Sequence, residues 1–146
     1  MNPILGVDLG KVRIGVAISD QLQLLAHPLE TIPGTVNAPA RISAIVRERN
    51  IDRVVVGVPR RMNGAIGEAA QSALDFADKL RAMLACDVVT WDERLTSAAA
   101  NRALRDAGKK TRQSRAYIDQ VAAQMILQSY LDSRRQSAHA QHMPRR

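Results

Sequence analysis

The run "RVVVGVP" (Arg53 to Pro59) limits the fold more than any other part of the chain. Five apolar or glycine positions follow one another without alternation, and a proline closes the run. A strand exposed on one face alternates apolar and polar residues. An unbroken short run is the mark of a strand buried on both faces, as in a parallel sheet. Parallel neighbours need a crossover connection, usually a helix. The flanking segments supply two. Upstream, Asn37 can cap a helix that tolerates Pro39 in its first turn and buries Ile42, Ile45 and Val46. Downstream, Ile66, Ala70, Ala73, Ala77, Leu80 and Leu84 recur at helical spacing and lead into a further strand, "DVVTW" (Asp87 to Trp91).

The N-terminal part reads differently. Residues 4–9 and 13–19 are two strands separated by a short turn in which Gly10 allows a tight reversal. Residues 25–32 form a third strand, which Pro28 confines to a sheet edge or a bulge. Beyond the last strand, Thr96 can cap a helix ending at Gly108, residues 108–114 form a polar loop, and a final helix runs from about Ser114 to Arg134. Its apolar stripe is Ile118, Val121, Ala122, Met125, Ile126 and Tyr130. The expected fold class is α/β: a five-stranded mixed sheet, three strands antiparallel and two parallel, flanked by helices on both faces. A chain of 146 residues fits one such domain over 1–132, with 133–146 a basic tail expected to be disordered. Aromatic residues are only 3%, so the core must be built from Val, Ile, Leu and Ala.

No stretch approaches the roughly twenty apolar residues of a membrane span, and the N-terminus lacks the pattern of a signal peptide. A lone cysteine, Cys86, suits a reducing cytoplasm and a partly apolar role. His27, His139 and His142 show no zinc-ligand spacing. The formal net charge of +7 favours an anionic partner, nucleic acid first and an acidic membrane surface second.

Three acids stand out. Asp8 interrupts an apolar strand and points away from the face shared by Val7 and Leu9, beside Gly6. Alone it reads as an acid satisfied by a hydrogen bond. Asp92 and Glu93 sit at the exit of the last strand, where ligands bind in α/β sheets. Only one of them can share the site face, and the other would cap or pair with Arg94. Asp119 lies near the start of the final helix, on the flank of its apolar stripe. Its neighbours one turn on, Ala122 and Ala123, would let the helix approach the sheet and bring Asp119 toward Asp8. Carboxylates gathered in this way repel unless neutralised. With no His or Cys in the set, a hard cation such as Mg²⁺ or Mn²⁺ is the fitting partner, and two such ions about 4 Å apart could clamp a phosphodiester.

Positive charge is expected beside these acids. Residues 101–115 hold six Lys or Arg against one Asp, among them Lys109, Lys110, Arg112 and Arg115. Arg60 and Arg61 follow the buried strand and would emerge at the same sheet edge as Glu93. Such groups bind phosphates without reading sequence. Few aromatics are present to stack on bases.

Four segments, "VDLGKVRIGVAISD", "VVVGVPRRMNG", "DERLTS" and "DQVAAQMILQSYLD", resemble in this order the YqgF/RuvX family of Holliday junction resolvases and ribosomal-RNA-processing nucleases. The resemblance spans residues 4 to 132 and implies an RNase H-like fold and metal-dependent phosphodiester hydrolysis. By position, Asp8, Glu93 and Asp119 correspond to the family's acidic cluster, and Arg13, Asn63, Arg94, Thr96 and Ser97 fall in its motifs as substrate-contacting or supporting residues, with Lys11 a further candidate for nucleic-acid binding. The related RuvC resolvases carry two aspartates three apart in the last helix. Here the second position is Ala122, which leaves three carboxylates with Asp92 as a fourth candidate. The substrate implied is a four-way DNA junction, which a symmetric homodimer would cut on paired strands, or the 5′ end of a small-subunit ribosomal RNA precursor. Two other readings stand beside this one. "DLGKVRIG" is similar to the phosphate loop of actin-like ATPases, although those need a second lobe. A catalytically silent nucleic-acid-binding module would keep the same fold.

Overall fold

The structure, a computed structural model, describes the backbone of residues 1–96 and 112–142 and the side chains of residues 1–96 and 116–135. Its elements are β1 (Ile4–Leu9), β2 (Arg13–Ser19), β3 (Ala26–Pro33), α1 (Ala38–Arg49), β4 (Arg53–Val58), α2 (Glu68–Met83), β5 (Asp87–Asp92), a 3₁₀ turn (Glu93–Leu95) and α3 (Arg112–His142). The strands form one sheet in the order β3-β2-β1-β4-β5. β1, β2 and β3 pair antiparallel, whereas β4 joins β1, and β5 joins β4, in parallel. The mixed sheet read from the sequence is the one found, with the run "RVVVGV" between two parallel neighbours and buried from Val54 to Val58.

Local chemistry explains most element ends. The β1–β2 turn closes with the Gly10 N–H donating to the Arg13 carbonyl at 3.0 Å. A Cβ on Gly10 would stand 2.4 Å from that oxygen, so the turn needs a glycine. β3 is an outer strand, and its pairing with β2 slips where Val16 faces Glu30 but Ala17 faces Pro28. Pro28 thus occupies both environments open to a residue without an N–H, an edge and a bulge. The Asn37 side chain caps α1 by accepting from the Ala40 N–H, and Asn50 ends the helix in the left-handed region at φ 52°.

Three expectations need correction. Ile66 lies outside α2 and is exposed, and Phe76 fills the core in its place. The final helix starts at Arg112 and continues to His142, past the Arg134 end expected for it. Residues 135–142 contain no glycine or proline to stop a helix, and Pro144 is the first breaker. The buried face of α3 is also rotated from the stripe read in the sequence. Ala122, Ala123, Ile126, Leu127, Tyr130 and Leu131 are buried, whereas Ile118, Val121 and Met125 are only partly so. Asp119 therefore lies on the packed face of the helix, not on its flank. The helix expected between Thr96 and Gly108 falls on residues that lie, from 97 on, outside those described.

Strand alternation sorts the interior into two layers. Leu5, Val7, Val16, Val54 and Val56 pack against α1 and α2, through Ile42, Ile45, Ala73, Ala77 and Leu80. On the opposite face, Ile4, Ala17 and Val55 meet Ala123, Ile126, Leu127, Tyr130 and Leu131 of α3. This second layer is thin because three of its sheet positions are glycines. A Cβ at Gly6 would come within 2.7 Å of Leu127 Cβ, one at Gly57 within 2.6 Å of Ile126 Cδ1, and one at Gly15 within 2.0 Å of the Asp119 carbonyl oxygen. Glutamines spaced one turn apart pin α3 along β3. Gln124 Nε2 donates to the Ala26 carbonyl at 2.9 Å, and Gln128 Oε1 accepts from the Ala26 N–H at 2.8 Å. Among the described residues, no helix is long and apolar enough to cross a membrane.

The contact at Gly15 is with backbone, which cannot swing aside. Gly15→Val is therefore expected to lower unfolding stability by about 3 kcal/mol or more, as overpacking against a rigid neighbour does. Urea denaturation measures it. Wild-type stability in this variant would mean that α3 does not lie this close to β2.

Candidate active site

Asp8 lies directly across from Gly15 in the β1–β2 ladder. On its other side, the parallel register of Val7 with Val56 places Gly57 next to it. The two glycines leave a shallow depression on either side of the Asp8 carboxylate, and an acid fills each. The Asp119 Cβ sits 3.2 Å from where a Gly15 side chain would begin, and Glu93 Oε2 sits 2.9 Å from the corresponding point at Gly57. Adjacent strands are about 4.8 Å apart, so each acid covers a position one strand spacing from Asp8. Relative exposures are 1% for Asp8, 2% for Glu93 and 4% for Asp119. The structure thus brings together on one sheet face, at the carboxyl ends of β1 and β4, three acids 26 or more positions apart in the chain.

Ionised carboxylates this deeply buried lose several kcal/mol of hydration each, which some partner must offset. For Asp119 a partner is Arg13, at the start of β2. Its Nε donates to Asp119 Oδ2 at 2.7 Å, and the two side chains are 24% and 6% exposed. The Gly10 turn fixes the backbone from which Arg13 reaches, because the Arg13 carbonyl is the acceptor that closes it.

Of the two acids at the β5 exit, Glu93 turns inward and Asp92 outward. Asp92 caps the 3₁₀ turn by accepting from the Arg94 N–H at 2.9 Å, and it holds the Arg94 guanidinium through contacts of 2.7–3.1 Å. The side-chain hydrogen bond from Arg94 holds the Asp92 carboxyl below its ordinary value, against a smaller opposing effect of burial, and Arg60 adds to the lowering. The same bond raises Arg94. Asp92 is committed to this pair and is not a fourth acid of the cluster. The Arg94 guanidinium lies over Gly64, which has φ +86°, and a Cβ there would approach Arg94 Nη1 to 3.2 Å. Residues 92 and 94 therefore lock the turn that aims Glu93 and tie it to the β4–α2 loop. Thr96 closes the turn, donating from N–H and Oγ1 to the Glu93 carbonyl.

The loop after β4 displays Arg60 and Arg61 in solvent. Arg61 covers Gly67, where a Cβ would meet its Nε at 2.7 Å. Asn63 works within the loop, its Oδ1 accepting from the Ala65 N–H at 3.0 Å. Lys11 is exposed at the β1–β2 turn, on the same end of the sheet as Asp8. Ser97, Lys109 and Lys110 lie outside the described residues, as do the side chains of Arg112 and Arg115. Cys86 is partly buried among apolar neighbours, and that burial raises its thiol. Sequence reasoning missed Gly15 and Gly57 as the floor of the site. Their signal was present: a glycine inside a strand often marks a close approach of other groups.

The donor set is all oxygen and anionic, which fits a hard divalent cation. The glycines are what let Asp119 and Glu93 come up beside Asp8, since a Cβ at Gly15 or Gly57 would collide with them. Among the described residues, however, no three Asp, Glu, His or Cys side chains are gathered tightly enough to hold a metal ion as they stand, and Asp119 engages Arg13 instead. The fit is therefore one of donor chemistry.

Comparison with known proteins agrees with this geometry. A family model described as RuvX, Holliday junction resolvase, matches residues 2–133. A protein of Chloroflexus aggregans is 51% identical over 134 residues, covering 90% of this chain and 94% of its own length. One of Bacillus cereus strain G9842 is 43% identical over 137 residues, covering 90% and 98%. Both are named as candidate pre-16S rRNA nucleases. The RuvC of Thermus thermophilus, solved with a Holliday junction substrate, aligns with a TM-score of 0.54 over 92% of this chain and 96% of its own, at 15% identity. At that identity the likeness concerns the fold, which is RNase H-like.

The lowered Asp92 carboxyl sets a pH dependence. A group depressed in the folded state contributes its stability fully above its ordinary value of 3.8 and loses it as pH falls through the lower folded value. Asp92→Asn is therefore expected to be less stable than wild type near neutral pH, with the gap closing below about pH 4. Thermal unfolding of both proteins across pH 3–7 measures this. A gap that stays constant would detach Asp92 from the lock.

Proposed function

Because the chain belongs to the RuvX family of Holliday junction resolvases, we propose that it hydrolyses phosphodiester bonds of a ribosomal RNA precursor at Asp8, Glu93 and Asp119. The supporting observation is that three acids from β1, the β5 exit and α3 are buried around two strand glycines at one end of the sheet. Such burial is costly for a purely structural role, and it is the arrangement from which hard cations are held.

The reading assigns Mg²⁺ or Mn²⁺ to these three carboxylates. Bound there, the ion would supply Lewis acidity toward the phosphoryl oxygen and offset charge in the transition state. The chain's own groups do the rest. Asp8, held rigidly in the sheet, anchors the centre of the cluster. Glu93 is aimed by the Asp92–Arg94 lock and Asp119 by its helix. Lys11, Arg60 and Arg61 offer cations to the phosphate backbone on the open side. Trp91 is not a base platform, since it packs edge-on against Tyr130 with centroids 5.6 Å apart and its Nε1 donates to Ser129 Oγ.

RNA is favoured over a DNA junction chiefly by the relatives. The near-full-length relatives at 51% and 43% identity carry a pre-16S rRNA name, whereas the junction-bound RuvC is similar only in fold. Ala122, buried where the RuvC resolvases place an acid, is in keeping with that separation.

The test is a parallel cleavage assay on a small-subunit rRNA precursor, a four-way DNA junction and linear duplex DNA, each with Mg²⁺ and with Mn²⁺. Cleavage near the 5′ end of the precursor, abolished by EDTA and restored by either ion, is the expected result. Symmetric cutting of the junction alone would assign the DNA substrate and with it a homodimer. Binding without cleavage under every condition would leave a silent module. Asp8→Asn, Glu93→Gln and Asp119→Asn should each lower the cleavage rate by more than about a hundredfold, the upper range for losing only an outer partner of a metal ligand. Nucleic-acid affinity should be largely kept, and gel-shift assays would check it.

A further inference from the structure

Among the described residues, Arg13 is a cation paired with an acid of the cluster. Its Nε lies 2.7 Å from Asp119 Oδ2, its side chain is three-quarters buried, and the Gly10 turn fixes its backbone. An arginine meant only to meet phosphate would be more useful exposed to solvent, as Arg60 and Arg61 are. One meant only to support the fold need not occupy an oxygen of the acid that metal binding requires.

We propose that Arg13 is a placeholder for the divalent cation. It neutralises Asp119 in the absence of the ion, and it competes with the ion for the Asp119 carboxylate by holding Oδ2. This inference rests on the assignment of Asp8, Glu93 and Asp119 as metal ligands. The exchange moves one positive group out as another enters, so the buried acids are never left uncompensated. Once displaced, the guanidinium remains tethered at the β2 start, beside the exposed turn carrying Lys11, where the phosphate backbone of a substrate is its natural acceptor. Metal entry and nucleic-acid binding then assist one another through a single side chain, and the coupling is reciprocal.

The experiment is calorimetric titration of the metal-free full chain with Mn²⁺ alone, for wild type, Arg13→Gln, Arg13→Lys and Asp8→Asn. A placeholder competes with the ion, so Arg13→Gln should bind Mn²⁺ about tenfold more tightly than wild type. Arg13→Lys should fall between them, which keeps the test usable if the glutamine variant does not fold. The ion-free Arg13→Gln protein should also melt below wild type and gain more from added Mn²⁺. Unchanged or weaker Mn²⁺ binding in both variants would overturn the proposal and make Arg13 a residue that orients Asp119 for the ion. Wild-type binding that is lost in Asp8→Asn would show the ligand assignment still standing in that event. If neither wild type nor the Arg13 variants bind Mn²⁺, the ligand assignment fails and the placeholder with it.

The coupling is read with Ca²⁺ and a structured rRNA-precursor fragment, with the fragment's integrity checked on a gel. RNA affinity should rise on adding Ca²⁺ to wild type and should not rise in Arg13→Gln. An equal rise in both would overturn the handover to phosphate.

Discussion

The closeness of α3 to the sheet is the constraint from which the site follows. A helix normally packs on a sheet across a full layer of side chains, at about 10 Å. Here Gly6, Gly15 and Gly57 remove that layer under the helix, and Ala122 and Ala123 thin it from above. The backbone of α3 at Asp119 rests almost on β2. A side chain as short as aspartate can then take part in a cluster centred on a strand residue. With a normal layer between them, Asp8 and Asp119 would each need a long side chain to meet.

Closeness has an electrostatic consequence. Three acids excluded from solvent carry a desolvation cost and a mutual repulsion that apolar packing around them cannot cancel. Two responses are seen among the described residues. Asp92, which could have been a fourth acid, is turned outward and spent on Arg94, where it stiffens the turn beneath Glu93. Asp119 is paired with Arg13 at the inner edge of the basic surface. The site is thereby divided into acids that face inward and cations that face outward, with Arg13 at the boundary. A phosphodiester approaching from the open side would meet positive charge first and the carboxylates behind it, the order that phosphoryl chemistry in water requires if the anion is to enter at all.

Membership of the RuvX family places this chain among nucleases. The fold offers a rigid sheet edge on which acids can be mounted. Function in this superfamily is therefore argued from the site and not from the sheet.

Much of the architecture is determined by sequence alone. The unbroken run at 53–58, the Gly10 turn, Pro28 at an edge and the Asn37 cap are local signals with local causes, and the strand and helix order follows from them. The acids Asp8, Glu93 and Asp119 were legible as anomalies, because charge inside apolar patterns needs a reason. The rotation of α3 was not legible. Ile118, Val121 and Met125 are as apolar as Leu127 and Leu131, and only the glycine floor of the sheet selects which of them lies inward. Nor could adjacency say that Asp92 turns to Arg94 while Glu93 turns to Gly57, or that Arg13 reaches an acid 106 positions away. Periodicity reports which residues share a face of one element. Which faces meet, and which charge pairs with which, is decided only when distant segments compete for the same small volume.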